Sequence, residues 1–147
     1  MNSIAQVKKL FFDRAAVMSA MDKATRRALS KFGAFVRQTS RNSIRSGEGT
    51  SAPGQPPRSH TGLLKRFIWF AYQPATRSVV IGPALLNKPA SAGEAPALLE
   101  YGGVASRRVQ AARGGSFHPR YRARPFMRPA FEREQRKLPA CWANSVK

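Results

Sequence analysis

Cysteine, histidine and acid are what this chain has least of. The single Cys141 leaves no disulfide framework and no Cys-rich zinc site, so an oxidising compartment is not required. His60 and His118 both lie in proline-bearing stretches, which argues against a histidine acid–base pair or a metal cluster. The acids are scattered over Asp13, Asp22, Glu48, Glu94, Glu100, Glu132 and Glu134. Even Glu132 and Glu134, two apart on a helix, point to different sides. There is no Walker A loop, nucleophile elbow or HExxH motif. The expectation is a protein without enzymatic activity, metal or cofactor. No apolar run approaches the roughly 18 residues of a membrane span. The longest dense stretch, Phe67 to Tyr72, is strand-sized. After Lys8-Lys9, the run Leu10-Phe11-Phe12 is cut by Asp13-Arg14, too early for a signal peptide. The chain is therefore expected in the cytoplasm, or in something assembled there, and not on a membrane.

Base is plentiful. Lys and Arg number 26 against 7 Asp and Glu, a formal charge of +19 on 147 residues. That length suits one domain, and the 42% apolar content is enough for a core. Such a charge repels itself, so it points to a polyanion or an acidic protein as partner.

The first third reads as one helix, from about 14 to about 45. Asp13 is its candidate N-cap. From Val17, apolar residues at 17, 18, 21, 24, 28, 29, 32, 35 and 36 fill a stripe roughly 140° wide. Lys23, Arg26, Arg27, Lys31, Arg37, Arg41 and Arg45 project from the other side, either as a solvated face or as a contact surface. Residues 6–12 form a short strand or continue the helix. Four Gly and three Pro make residues 46–62 a loop, long enough to be an interaction arm. Leu63–Gln73, the turn Pro74-Ala75-Thr76 and Ser78–Gly82 predict an antiparallel hairpin. A second loop covers 83–96, then a short apolar segment ends in Glu100 and Tyr101. Residues 104–125 are Arg-rich with a Gly114-Gly115 break, which suggests another hairpin or an extended arm. Sheet is thus expected over about 63–125. Pro129 suits the first turn of a closing helix over about 126–146, broken or kinked at Pro139. The fold class is α+β, with the long N-terminal helix packed on a small antiparallel sheet, long loops and a C-terminal helix.

Two groups of residues are candidates for contact. Arg107, Arg108, Arg113, Arg120, Arg122 and Arg124 stand in a stretch free of acid. On a strand, Arg120, Arg122 and Arg124 would share one face, able to neutralise phosphates or to pair with acids of a neighbouring subunit. No sequence-reading module is legible, so any DNA contact should ignore sequence. Phe67 and Trp69 would share one face of a strand, with Phe70 and Tyr72 on the other. A base-stacking platform is one reading; core plus subunit interface, with Phe126 added, is the preferred one.

Four segments in order resemble one family. They are Pro53-Gly54-Gln55-Pro56-Pro57, then Thr61-Gly62-Leu63-Leu64, then Leu99-Glu100-Tyr101-Gly102-Gly103, and the run Ala123-Arg124-Pro125-Phe126-Met127-Arg128-Pro129-Ala130-Phe131-Glu132. Together they are similar to the tail-component family of long-tailed bacteriophages and prophages, the minor tail or tail-completion proteins of lambdoid siphophages. The resemblance implies a structural virion protein that assembles in the host cytoplasm as a homo-oligomeric ring; it does not fix the number of copies, and a hexamer is favoured over a dodecamer. It would sit at the head–tail junction or the top of the tail. Connector, tail terminator or tail tube proteins would be its neighbours, with genomic DNA in the lumen. The family offers no catalytic residues to carry over. The alternative is a monomeric nucleic-acid-binding protein without sequence preference.

Overall fold

A computed structural model describes residues 13–84, 94–106, 108–112, 114–143 and 145. The expectations for residues 6–12 and for Arg107 and Arg113 lie outside the described residues, as does most of the second loop.

Asp13 caps the first helix as its chemistry suggests. Its Oδ1 accepts the Ala16 N–H at 3.0 Å and opens α1 (Arg14–Ser43). Along α1 the buried residues are Ala24, Ala28, Phe32, Gly33, Val36 and Ser40, which keep the middle of the expected stripe, whereas Val17, Met18, Met21 and Phe35, expected in it, are exposed. Ser40 Oγ donates back to the Val36 carbonyl at 2.8 Å, which satisfies the buried hydroxyl. The helix ends at Ser43 because Ile44 turns to extended backbone and buries its side chain in the core.

The loop after it is not wholly irregular. Two-residue strands β1 (Arg45–Ser46) and β2 (Arg58–Ser59) pair in parallel across it. Next, Leu63–Arg66 forms a single helical turn, α2, rather than the start of a strand. Leu, Lys and Arg are good helix formers, and the aromatic strand formers begin only at Phe67. The hairpin then follows as expected: β3 (Ile68–Gln73) pairs antiparallel with β4 (Ser78–Pro83), Phe70 opposite Ile81.

A third helix, α3 (Glu94–Tyr101), replaces the end of the second loop and the expected apolar strand segment. Pro96 falls in its first turn, where a missing N–H costs nothing. Gly102, at φ 74°, ends it by donating its N–H to the Leu98 carbonyl at 2.9 Å. Four short strands come next: β5 (Gly103–Val104), β6 (Val109–Gln110), β7 (Ser116–Phe117) and β8 (Arg120–Tyr121). β5 pairs with β8 and β6 with β7, so residues 103–121 make one two-step hairpin arm. Sheet over 63–125 is therefore interrupted by two helices and is not continuous. The chain closes with α4 (Met127–Gln135) and α5 (Leu138–Trp142), separated just ahead of Pro139.

Two adjoining clusters form the core. Phe32, Val36 and Ala130 gather Val79, Ile81 and Leu138. Ile44, Ile68 and Phe126 gather Leu64 and Leu99, and Met127 packs against both clusters. Phe131 meets Phe32 edge-on, ring centroids 5.7 Å apart. The fold is α+β, a long helix whose buried face packs against the antiparallel β3–β4 hairpin and the closing helices α4 and α5.

Candidate functional site

The four segments that carry the family resemblance meet in space. Glu100, at the end of α3, is buried, and its carboxylate lies at the N-terminus of α4. Oε2 accepts the backbone N–H of Phe126 at 2.9 Å and of Met127 at 3.0 Å; Oε1 accepts that of Arg128 at 2.8 Å. Nothing in α4 caps itself, since its first turn has no acid and Phe126 offers no acceptor. A carboxylate there satisfies three orphan donors and complements the helix dipole. Beside it, the Arg124 N–H donates to the Leu99 carbonyl at 2.6 Å, and the Gly54 N–H donates to the Ala123 carbonyl at 2.9 Å. Leu64 packs on Phe126 with Ile44, Ile68 and Leu99 around it. Chain stretches far apart in sequence are thus tied at one junction.

Two expected contact residues belong to that junction. Phe126, expected at a subunit interface, is only 1% exposed and is core. Arg124, expected to face DNA or an acidic partner, is half-buried. Its Nε donates to the Ser51 carbonyl at 2.8 Å, so it ties the long loop to the approach of α4. The strand ends at Tyr121, so Arg120, Arg122 and Arg124 do not form one row on a strand face.

The arm leaves the junction at once through Gly102 and Gly103. Nearly all of its described residues are exposed; Ala105 is the one buried position. His118 stiffens it: the ring Nδ1 lies 2.9 Å from the Ala105 carbonyl, and Nε2 lies 3.3 Å from Arg108 Nε. That pattern assigns the proton to Nδ1, leaving Nε2 to accept from the guanidinium. Arg108, Arg120 and Arg122 are exposed and enter no ion pair among the described residues, while Val104, Val109, Phe117 and Tyr121 stand partly bare beside them. A two-stranded ribbon with so little burial is marginal alone, and such arms are usually stabilised by a partner.

The hairpin β3–β4 is covered on one face only. Phe70, Tyr72, Val79 and Ile81 are half-buried on the side of α1. Trp69, 52% exposed, and Val80 lie on the other face. The guanidinium of Arg37 stands 5.2 Å over the Trp69 ring and its Nε donates to the Ile68 carbonyl at 2.8 Å. Phe67 sits half-buried just before the strand. Trp69 thus faces away from Phe70 and Tyr72 as expected, Phe67 does not share its strand face, and Trp69 and Val80 on the outer face are exposed, with Arg37 over the Trp69 ring.

Charge is distributed as unevenly as the composition implies. Lys23, Arg26, Arg27 and Lys31 are exposed along α1. The acids are mostly committed locally: Asp22 to Arg77 at 3.1 Å, Glu132 to Arg128 at 2.9 Å, Glu94 to Ser106, and Glu100 to the junction. Glu134 is buried under α1, where its Oε1 accepts the Thr39 hydroxyl at 2.8 Å. The Lys137 ammonium lies 2.7 Å from Oε2, an ion pair without an aligned hydrogen bond. Lys137, and then Thr39 and Arg133, hold the Glu134 carboxyl below its ordinary value, against the burial that raises it. Among the described residues no cluster of His, Cys, Asp and Glu is arranged to hold a metal ion, and no helix is long and apolar enough to cross a membrane.

The junction was not legible in advance. Its sequence signal was indirect: a lone glutamate before Gly102-Gly103, and a helix start at Phe126 with no cap of its own. Compared with known protein families, curated proteins and solved structures, the chain matches none.

Proposed function

We propose that this is a structural protein of a bacteriophage virion, a tail-completion or neck subunit that oligomerises into a ring around the DNA passage. The observation that carries the reading is the convergence at Glu100 and Phe126. Four short motifs that could each arise by chance occupy one hydrogen-bonded junction, as the framework of a single fold would. The free surfaces support it. An open sheet face at Trp69 and Val80, a projecting basic arm and a cationic helix face are what a subunit buried among neighbours would carry. In this reading Trp69 and Val80 meet the adjacent copy, and the arm meets DNA or an acidic neighbour in the connector or tail. The protein does its work by assembly and not by catalysis.

Native mass of the purified protein, by light scattering or mass spectrometry across salt concentrations, tests the proposal. A closed species of about six or twelve copies is the expected result. A monomer that changes mass only on adding DNA would favour the second reading, a nucleic-acid-binding protein without sequence preference. The exposed Arg120 and Arg122 are the observation on that side.

A further inference from the structure

Where the arm leaves α3, an open concavity of about 640 Å³ lies between the end of that helix and β8. Tyr101, Gly102, Gly103, Arg120, Tyr121 and Arg122 line it, with no acid among its walls. Tyr101 is 77% exposed and Tyr121 is 41% exposed, unusual for large aromatic side chains without a task. Arg120 and Arg122 make no ion pair among the described residues. The walls are held at a set spacing. A Cβ on Gly102 would lie 3.0 Å from the Ala123 nitrogen and 3.1 Å from the Tyr121 carbonyl oxygen, so the two backbones are in contact there. The Glu100 carboxylate and the Arg124-to-Leu99 hydrogen bond fix the same two stretches from beneath.

We propose that this concavity binds unpaired nucleotides of a single-stranded nucleic acid, bases stacking on Tyr101 and on Tyr121 while Arg120 and Arg122 take the flanking phosphates. Aromatic faces beside guanidinium groups in an acid-free groove are what single strands require, because every base has a face to stack and every linkage carries a charge. An acidic peptide would use the arginines and leave both rings idle. A duplex would do the same, since its bases are already stacked on one another. A site preformed by the junction loses little entropy on binding. The inference does not depend on ring formation.

The test is fluorescence anisotropy with a labelled oligothymidylate of about 16 nucleotides, against a duplex of equal length and polyglutamate as competitor. Binding of the single strand is expected, with Tyr101→Ala and Tyr121→Ala each weakening it about 5- to 100-fold. Tyr101→Phe and Tyr121→Phe keep the ring and should keep the affinity, which separates stacking from damage to the fold. Arg120→Ser with Arg122→Ser should flatten the salt dependence. Equal affinity for strand and duplex, indifference to loss of the tyrosine rings, displacement of the strand by polyglutamate at equal charge, or no binding at all would each overturn the proposal. Native mass of the same samples reads the ring separately. A strand-binding monomer sinks the ring and spares the site; a ring that ignores the strand does the reverse.

Discussion

Gly33 and Phe70 touch because one of them has no side chain. A Cβ on Gly33 would lie 2.8 Å from Phe70 Cδ2 and 2.9 Å from Val79 Cγ2. The helix and the hairpin therefore approach at the one position in that stretch of α1 where nothing projects.

Gly33→Ala sets two effects against each other. Alanine in a helix interior gains about 1 kcal/mol over glycine. Forcing a methyl against two side chains of a packed core costs about 1–3 kcal/mol. With two contacts under 3.0 Å the clash should win, so urea unfolding is expected to show a net loss of about 1 kcal/mol. Gly33→Leu should be far worse. A more stable Gly33→Ala protein would mean that the hairpin can retreat from α1.

Removal of the Glu100 carboxylate leaves three backbone donors at the start of α4 without acceptors. Glu100→Ala should cost about 3 kcal/mol or more, since each stranded buried donor carries its own penalty. Glu100→Gln keeps one accepting oxygen and should fall between the two. Amide exchange at Phe126, Met127 and Arg128 reports on the same bonds directly. Unchanged protection there in Glu100→Ala would show that water or another group caps the helix.

Acid should weaken the fold partly through Glu134. Its carboxyl is depressed below the ordinary value of 4.5 in the folded state, so its contribution is complete above that pH. It is lost as pH falls through the lower folded value. Glu134→Gln should therefore lower stability at neutral pH by about 1–3 kcal/mol. The variant should also flatten the fall below about pH 4.5. A parallel pair of stability–pH curves would contradict the assignment.

Trp69→Ser separates folding from assembly. The ring is half-exposed and its main neighbour is the Arg37 guanidinium, so thermal unfolding of the monomer should shift by about 1 kcal/mol or less. If Trp69 meets an adjacent copy, the native mass should collapse to the monomer. A variant that oligomerises like the parent would move the interface elsewhere.

Local chemistry made much of the fold readable. Asp13 announced the start of α1, the middle of the apolar stripe announced its packed face, and Pro74-Ala75-Thr76 placed the turn between β3 and β4. Long-range partnerships were not readable. Nothing near Phe126 shows that its cap comes from Glu100, and nothing near Arg124 shows that it reaches Ser51. Leu63–Arg66 was misread because apolar residues next to a strand look like its continuation, and α3 because Pro96 resembles a loop marker even in a first helical turn. Among the candidate residues, exposure separates Arg108, Arg120, Arg122 and Trp69 from Phe126 and Arg124, a distinction that residue type alone cannot make.

Six of the seven acids are occupied within a few ångströms of where they stand, capping a helix, pairing one cation or holding a serine or threonine. With 26 basic residues against those seven acids, the folded chain has little negative charge to offer another copy of itself. Two copies meeting in dilute buffer repel over about 10 Å at 0.1 M salt. A polyanion or an acidic neighbour between them cancels that barrier. In the proposed ring, contact at open faces such as Trp69 and Val80 has to outweigh that repulsion, and added salt, which shortens its range, should favour the closed species.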